Sequence, residues 1–256
     1  MSVELSFRDR VAVLRLNRPQ ALNVLNADMI SQIGARIDEV AASDARALLI
    51  VGEGGKAFSA GADVKELLGQ NADAQRATAR RGQLAFAKLD DLGVPSVAVI
   101  NGVAFGGGLE IAMACTFRIA SAASRFGLPE IKLGLIPAYG GTQRLPRLVG
   151  TARAVEMIAT GRAIEGEEAE RIGLVHRIVE IGDPVEAGMR FLSEMGSPFP
   201  AALAHALTTT KCASALPIDT GLCLEAELFA VTSQTRDASE GMEAFIEKRR
   251  PMFVGK

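Results

Sequence analysis

Apolar residues in the first half of the chain occur either as short uninterrupted runs or at helical spacing. Three runs predict buried strands, each closed by a turn residue: 11–16, 47–51 and 96–100. Between the first two runs, apolar residues recur on one helical face: Met29, Ile30, Ile33, Ile37 and Val40. Asn26 precedes them and is of the type that caps helix N-termini. This strand–helix–strand order predicts an α/β core.

The second half of the chain has a helical character. From Thr151 onward the apolar runs give way to amphipathic stretches, including a stripe of Leu224, Leu228 and Val231. Three prolines stand where helices are expected to begin: Pro184, Pro198 and Pro217. Residues 1–196 are therefore predicted to form the α/β core, and residues 197–256 a helical region that covers another surface.

Composition and net charge are those of a globular protein and do not favour binding to nucleic acid or to a membrane. The 256 residues are 48% hydrophobic and 23% charged, unlike a disordered chain. The formal net charge of −2 provides no overall attraction to nucleic acid or to an anionic membrane. The short basic clusters at 80–81 and 248–250 are explained better by solvated helix faces than by an RNA-binding surface.

The cysteines and histidines indicate neither a disulfide framework nor a zinc site. Cys115, Cys212 and Cys223 form no C-x-x-C pair, and the chain has only two histidines. Neither a disulfide framework nor a zinc site is predicted, and reduced thiols suit a reducing compartment.

The N-terminus has no apolar signal core, and the uncharged stretch 94–109 contains a proline and four glycines. A cytoplasmic protein without a membrane span is expected.

Residues 54–67 follow a predicted strand and precede a short helix. Asp63 and Glu66 have the spacing of a capping box, with Asp in the usual place of Ser or Thr. If Asp63 caps the helix, the small residues before it form a tight turn, and the Ala62 N–H can point at a substrate oxygen. A plain capped loop without a ligand explains the same residues equally well.

Residues 101–113 combine a glycine-rich turn with a single acid. A strand runs into Gly106, Gly107 and Gly108 and then into an apolar helix that contains Glu110. Unpaired N–H groups at such a helix start bind anions. Because Glu110 would repel a phosphate, the turn is better suited to an oxyanion developing on a carbonyl, with Glu110 as a proton-transfer group. The alternative is a surface acid that complements the helix dipole.

Residues 125–145 contain a second candidate acid. Glu130 directly follows Pro129 at the predicted start of a short helix and has apolar neighbours in the sequence. Burial of an acid is costly unless the acid is paired or protonated, so a buried Glu130 would have a raised pKa. The alternative is a first-turn glutamate at a solvated helix start.

Together these three stretches resemble the crotonase family, the enoyl-CoA hydratases and isomerases. The most specific parts are Phe-Ser-Ala-Gly-Ala-Asp at 58–63, Gly-Gly-Gly-Leu-Glu at 106–110, and Pro129-Glu130 followed by Gly-Gly-Thr-Gln-Arg-Leu at 140–145. The likeness extends over essentially the whole chain, from residues 17–23 to 240–248. It implies an α/β spiral of β-β-α turns with two roughly perpendicular sheets, followed by C-terminal helices that build a homotrimer or a dimer of trimers.

The resemblance also implies a mechanism. Ala62 and Gly107 would supply the two N–H groups of an oxyanion hole, with Glu110 as the base for water and Glu130 as the acid for the α-carbon. The expected reaction is hydration of 2-enoyl-CoA to 3-hydroxyacyl-CoA, in fatty-acid β-oxidation or a related catabolic route. A Δ3-Δ2 enoyl-CoA isomerase is the nearest alternative, but it can work with one acid. A non-catalytic RNA-binding or scaffold relative is a more distant one.

The contacts that the resemblance implies with an acyl-CoA substrate are spread along the chain. Contact with coenzyme A is implied for the backbone near Ala60 and for Asp63, Val64 and Lys65. Ala21 and Leu22 would lie along the pantetheine arm, and Phe245 and Lys248 would reach the nucleotide end, often from a neighbouring subunit. Tyr139 stands where relatives commonly have a small residue, so it is expected to affect acyl-chain preference. No metal or separate cofactor is expected, because coenzyme A arrives as part of the substrate.

Overall fold

The computed structural model describes residues 1–195 and 201–255 and divides into two compact units, Met1–Arg190 and Phe191–Lys256. The boundary expected between residues 196 and 197, and the helix expected to begin at Pro198, lie outside the described residues. Across the two described ranges, no helix has both the length and the apolar character needed to span a membrane.

The first unit contains two β-sheets. The larger sheet has six strands in the order β1 (Val3–Arg8), β2 (Val11–Leu16), β3 (Ala47–Gly52), β5 (Ser96–Ile100), β7 (Phe117–Ala120) and β10 (Arg177–Ile178). The smaller sheet has the order β4 (Ala57–Ser59), β6 (Val103–Phe105), β8 (Arg125–Gly127) and β9 (Ile164–Glu165). Neighbouring strands are parallel except in the pairs β1–β2 and β8–β9. The three strands predicted from the sequence are β2, β3 and β5.

The chain passes repeatedly from the larger sheet to the smaller one. β3 leads to β4, β5 to β6 and β7 to β8, and a helical segment follows each pair. The helices are α1 (Ala27–Ala41), α2 (Val64–Leu67), α3 (Ala72–Ala87), α4 (Gly107–Ala114), α5 (Gly141–Val149), α6 (Thr151–Thr160), α7 (Gly166–Arg171) and α8 (Pro184–Glu194), with 3-10 helices at Pro19–Ala21 and Pro129–Leu133. This β-β-α path is the spiral expected from the sequence.

Helix α1 forms for the reasons that its sequence indicates. The Asn26 side chain caps it by accepting a hydrogen bond from the Met29 N–H over 2.9 Å. All five residues of its predicted apolar face are buried in the core of the unit, which also takes in the inner residues of β2, β3 and β5. The buried stripe holds α1 on the larger sheet, since burial of each such side chain contributes about 1.5–3 kcal/mol.

The second unit is helical. It contains α9 (Ala201–Cys212), α10 (Ile218–Ser233) and α11 (Arg236–Glu247). His205 on α9 and Thr232 on α10 are joined by a hydrogen bond of 2.6 Å between Nδ1 and Oγ1. Pro217 directly precedes α10, in agreement with its predicted place at a helix start. Within this unit no residue of α10 is fully buried, and Phe229 and Val231 are among its exposed apolar residues.

Candidate active site

The turn after β4 is held by a short bridge to the segment before α1. The Leu25 N–H donates to the Gly61 carbonyl over 2.7 Å, and the Asp63 N–H donates to the Leu25 carbonyl over 3.0 Å. Ala62 lies between these two hydrogen bonds, so the bridge leaves the Ala62 N–H unused. Gly61 has a φ of +105°, a conformation that strongly favours glycine.

A second turn, after β6, lies directly against the first. Gly106 has a φ of +49° and leads into Gly107, the first residue of α4. The N–H groups of a first helical turn have no acceptor within their own helix. A Cβ built on Gly61 would lie 3.6 Å from the Gly107 nitrogen. The turns that carry Ala62 and Gly107, the two expected carbonyl-binding residues, are therefore in contact.

Glu110 lies one helical turn after Gly107 and is buried, with 1% of its surface exposed. Its Oε1 accepts hydrogen bonds from the N–H of Tyr139 over 2.8 Å and of Gly141 over 2.7 Å. Burial, with a smaller contribution from the nearby charge of Glu130, outweighs the two N–H donors and raises the pKa of this carboxyl to about 8. The alternative of a surface acid at the helix start is therefore wrong.

Glu130 stands in the 3-10 helix Pro129–Leu133 and directs its carboxyl to the same turn. A Cβ built on Gly106 would lie 2.8 Å from the Glu130 Oε1. Oε2 is buried and has no hydrogen-bond partner among the described residues. Burial raises the pKa of Glu130 as well. Its alternative interpretation as a solvated first-turn glutamate does not hold for the carboxyl group.

The two acids thus share one environment although 20 positions separate them in the sequence. Glu130 contacts the turn at Gly106, and Glu110 is in the first turn of the helix that begins at Gly107. Two neighbouring carboxyls with raised pKa values, one fully and one partly buried beside free backbone N–H groups, are suited to moving protons next to a polarised carbonyl.

Comparison with known proteins assigns a family to this arrangement. A model of the family described as enoyl-CoA hydratase/isomerase matches residues 6–256. The chain belongs to this family. It is 40% identical over 250 residues to the short-chain-enoyl-CoA hydratase of Clostridium acetobutylicum, covering 97% of this chain and 96% of the relative.

Two further members of the family are similar over their full length. The crotonyl-CoA hydratase of Syntrophomonas wolfei is 37% identical over 256 residues, covering 100% of this chain and 98% of that protein. The crystal structure of an enoyl-CoA hydratase from Bacillus anthracis superimposes with a TM-score of 0.93 at 34% identity and covers 100% of both chains. The expected family and the expected spiral fold are confirmed.

Most of the residues expected to contact coenzyme A belong to two segments that are joined by a backbone hydrogen bond. The Ala60 N–H donates to the Leu22 carbonyl over 3.0 Å, which joins the turn after β4 to the residues at 21–22. Val64 and Lys65 are exposed on α2, directly after Asp63. The structure thus brings together residues that are some 40 positions apart in the sequence.

The expected capping box forms only in part. The Asp63 Oδ1 accepts from the Lys65 N–H over 3.3 Å and caps α2. Glu66 does not return the bond, because its Oε2 accepts instead from the Ala27 N–H over 2.7 Å. Asp63 also forms an ion pair with Arg18 over 3.7 Å. The reciprocal cap was therefore a wrong prediction, and Glu66 connects α2 to the start of α1.

Phe245 and Lys248 lie on the second unit. Phe245 is on α11 with 85% of its surface exposed, and Lys248 follows the helix with a φ of +57°. Their expected contact with the nucleotide end of coenzyme A stays a prediction.

Tyr139 has partners that the sequence analysis missed. The Tyr139 ring is only 5% exposed and packs edge-to-face on Phe86, with the ring centroids 5.8 Å apart. It also covers Gly82, the only glycine of α3. A glycine inside an otherwise good helix-forming stretch is a signal that could have pointed to this contact.

Proposed function

We propose that the protein is an enoyl-CoA hydratase, which adds water reversibly to a 2-enoyl-CoA and gives a 3-hydroxyacyl-CoA. One observation carries the proposal: the buried Glu110 carboxyl and the Glu130 carboxyl, whose Oε2 is buried, lie close together beside the same glycine turn. Hydration requires two proton movements, one from water and one to the α-carbon. A site with one carboxylate to accept a proton and a second carboxyl to donate one fits that requirement better than it fits isomerisation, which can use a single acid.

The thioester oxygen is proposed to bind the N–H groups of Ala62 and Gly107. As water attacks the β-carbon, the electrons of the double bond move toward the carbonyl and leave an enolate oxygen. Donors fixed on this oxygen stabilise the transition state more than the substrate. Loss of one such donor costs roughly 2.7–4 kcal/mol in comparable oxyanion holes. The contact between the two turns is the feature that supports this role.

Glu110 is proposed as the base. Its Oε1 is fixed by two backbone N–H groups, so its other oxygen is left to take the proton from water. The hydroxide oxygen bonds to the β-carbon. Glu130, whose burial favours the protonated form, gives its proton to the α-carbon from the unpartnered Oε2. Transfer of a proton from Glu110 back to Glu130 then restores the starting state.

The proposed reaction also indicates the cofactor requirement and the residues that bind coenzyme A. Proton transfer beside a polarised carbonyl needs no metal or redox cofactor, and coenzyme A enters with the acyl group. Ala21, Leu22, Ala60 and residues 63–65 are proposed to bind its near end. Exposed Phe245 and Lys248 are proposed to reach its nucleotide end in a homotrimer or a dimer of trimers. The three free cysteines favour action in the reducing cytoplasm.

Purified protein incubated with crotonyl-CoA tests the proposal. Loss of the conjugated enoyl absorbance, with 3-hydroxybutyryl-CoA as the product, is the expected result. A parallel incubation with 3-hexenoyl-CoA measures conversion to the conjugated isomer. Faster isomerisation than hydration would favour the isomerase, and neither reaction by folded protein would overturn the assignment.

A further inference from the structure

Helix α3 carries a glycine at a point where a larger residue is impossible. A Cβ built on Gly82 would lie 2.3 Å from Cδ1 and 2.6 Å from Cγ of Tyr139. Glycine in a helix interior costs about 1 kcal/mol relative to alanine, so its presence calls for a packing reason. That reason is the Tyr139 ring, which lies on the backbone of α3 where a side chain would otherwise stand.

The ring is held on its other sides as well. It packs edge-to-face on Phe86, one turn after Gly82 on α3. The preceding Ala138 carbonyl accepts a hydrogen bond from the Gln83 Nε2 over 2.9 Å, which attaches this segment to the same helix. The ring therefore packs between α3 and the start of α4.

Two residues with proposed roles in the reaction lie directly beside the Tyr139 ring. A Cβ built on Gly107 would lie 3.1 Å from the Tyr139 Cδ2, so the ring covers the residue proposed to bind the thioester oxygen. The Tyr139 N–H donates to Glu110, the proposed base. An acyl group whose thioester oxygen is bound at Gly107 would begin beside this ring, and the ring occupies the space on the α3 side.

On the basis of the hydratase assignment, we propose that Tyr139, seated on Gly82, closes the acyl pocket on the α3 side and makes the enzyme selective for short 2-enoyl groups. Removal of the ring opens a space reaching the backbone of Gly82, into which a longer aliphatic chain can extend.

The test compares kcat/KM for crotonyl-CoA and for 2-decenoyl-CoA in each variant. The ratio of the two values cancels any loss that affects both substrates equally, including a shift of Glu110. Tyr139→Ala is expected to move the ratio toward the decenoyl ester by at least about tenfold, because each methylene accommodated in an apolar pocket is worth roughly 10- to 200-fold. Tyr139→Phe keeps the ring and is expected to keep the wild-type ratio. Tyr139→Leu, which leaves less empty volume, is the second variant if Tyr139→Ala does not fold.

Leu84→Ala is the matched control, since Leu84 lies on the same helix but is 52% exposed. It is expected to leave the ratio unchanged. An unchanged ratio in folded Tyr139→Ala or Tyr139→Leu, or an equal shift in Tyr139→Phe, overturns the role of the ring while the hydratase assignment stands. Failure of folded wild-type protein to hydrate either ester overturns the hydratase assignment itself.

Discussion

Gly141 donates its backbone N–H to the Glu110 Oε1 over 2.7 Å, and the first turn of α5 is thereby directed at a buried carboxyl. A Cβ on Gly141 would lie 3.0 Å from this oxygen and 2.8 Å from the Pro137 Cβ, so a larger residue would displace the contact. The N-terminus of α5 favours the charged carboxylate. Burial, which favours the neutral carboxyl, has the larger effect and raises the pKa of Glu110 to about 8.

This balance predicts how stability depends on pH. The ordinary pKa of a glutamate is 4.5, and that of folded Glu110 is about 8. Between these values the folded state binds more protons than the unfolded state, so the free energy of unfolding falls as pH rises, by at most about 1.4 kcal/mol per pH unit. Glu110→Gln removes this dependence. The melting temperature of the variant relative to wild type is therefore expected to increase from pH 5 to pH 8.

Glu167→Gln is the control for that comparison, because Glu167 is an exposed acid on α7. Its melting temperature relative to wild type should change little across the same range. A difference between Glu110→Gln and wild type that is constant from pH 5 to pH 8 would mean that Glu110 titrates as an ordinary surface acid.

Gly106→Ala is expected to damage activity more than a substitution at another left-handed glycine. The new Cβ would lie 2.8 Å from the Glu130 Oε1, and the φ of +49° is itself strained for alanine. The strain costs about 1–3 kcal/mol of stability, and displacement of the acid lowers kcat on crotonyl-CoA roughly 10²-fold. Gly55→Ala is the control, since Gly55 has a φ of +68° but no neighbour within 4 Å of the new Cβ. Equal kcat values for the two variants would contradict this role of Gly106.

Asp237 is expected to fix the C-terminal segment within the second unit. It is buried, and its two oxygens accept from the Val254 N–H and the Gly255 N–H, each over 2.7 Å. Asp237→Ala leaves these donors without their acceptor, at a cost of about 1–3 kcal/mol. Hydrogen exchange should become faster at both amides. Asp219→Ala is the control, because Asp219 is an exposed acid in the first turn of α10, and it should leave the exchange of both amides unchanged. Unchanged exchange in Asp237→Ala would show that other contacts hold the C-terminal segment.

The parts of the fold predicted from sequence are those determined by local patterns. Helix α1 begins after Asn26 and buries its predicted apolar face, because capping and a 3.6-residue period are both local properties. The same holds for the strands at 11–16 and 96–100, whose residues are apolar throughout or nearly so. The short strands of the smaller sheet, such as β4 and β6, have only three residues each and carry no such pattern.

The state of the candidate acids depends on distant residues. Glu110 taken alone is a first-turn acid, and only the approach of Tyr139 and Gly141, some 30 positions later, buries it. Glu66 has the spacing to cap its own helix, yet the Ala27 N–H, 39 positions earlier, is its partner. Tyr139 and Gly82 meet across 57 positions. Local spacing can nominate such residues, but tertiary packing decides their partners.

The central claim is that Glu110 accepts and Glu130 donates a proton in hydration. The most direct test is kcat on crotonyl-CoA for Glu110→Gln and Glu130→Gln beside wild type, with Glu167→Gln as the control. Each active-site variant is expected to fold and to lose roughly 10²- to 10⁴-fold in kcat, while the control stays near wild type. Near wild-type kcat in either folded active-site variant would contradict the two-acid mechanism.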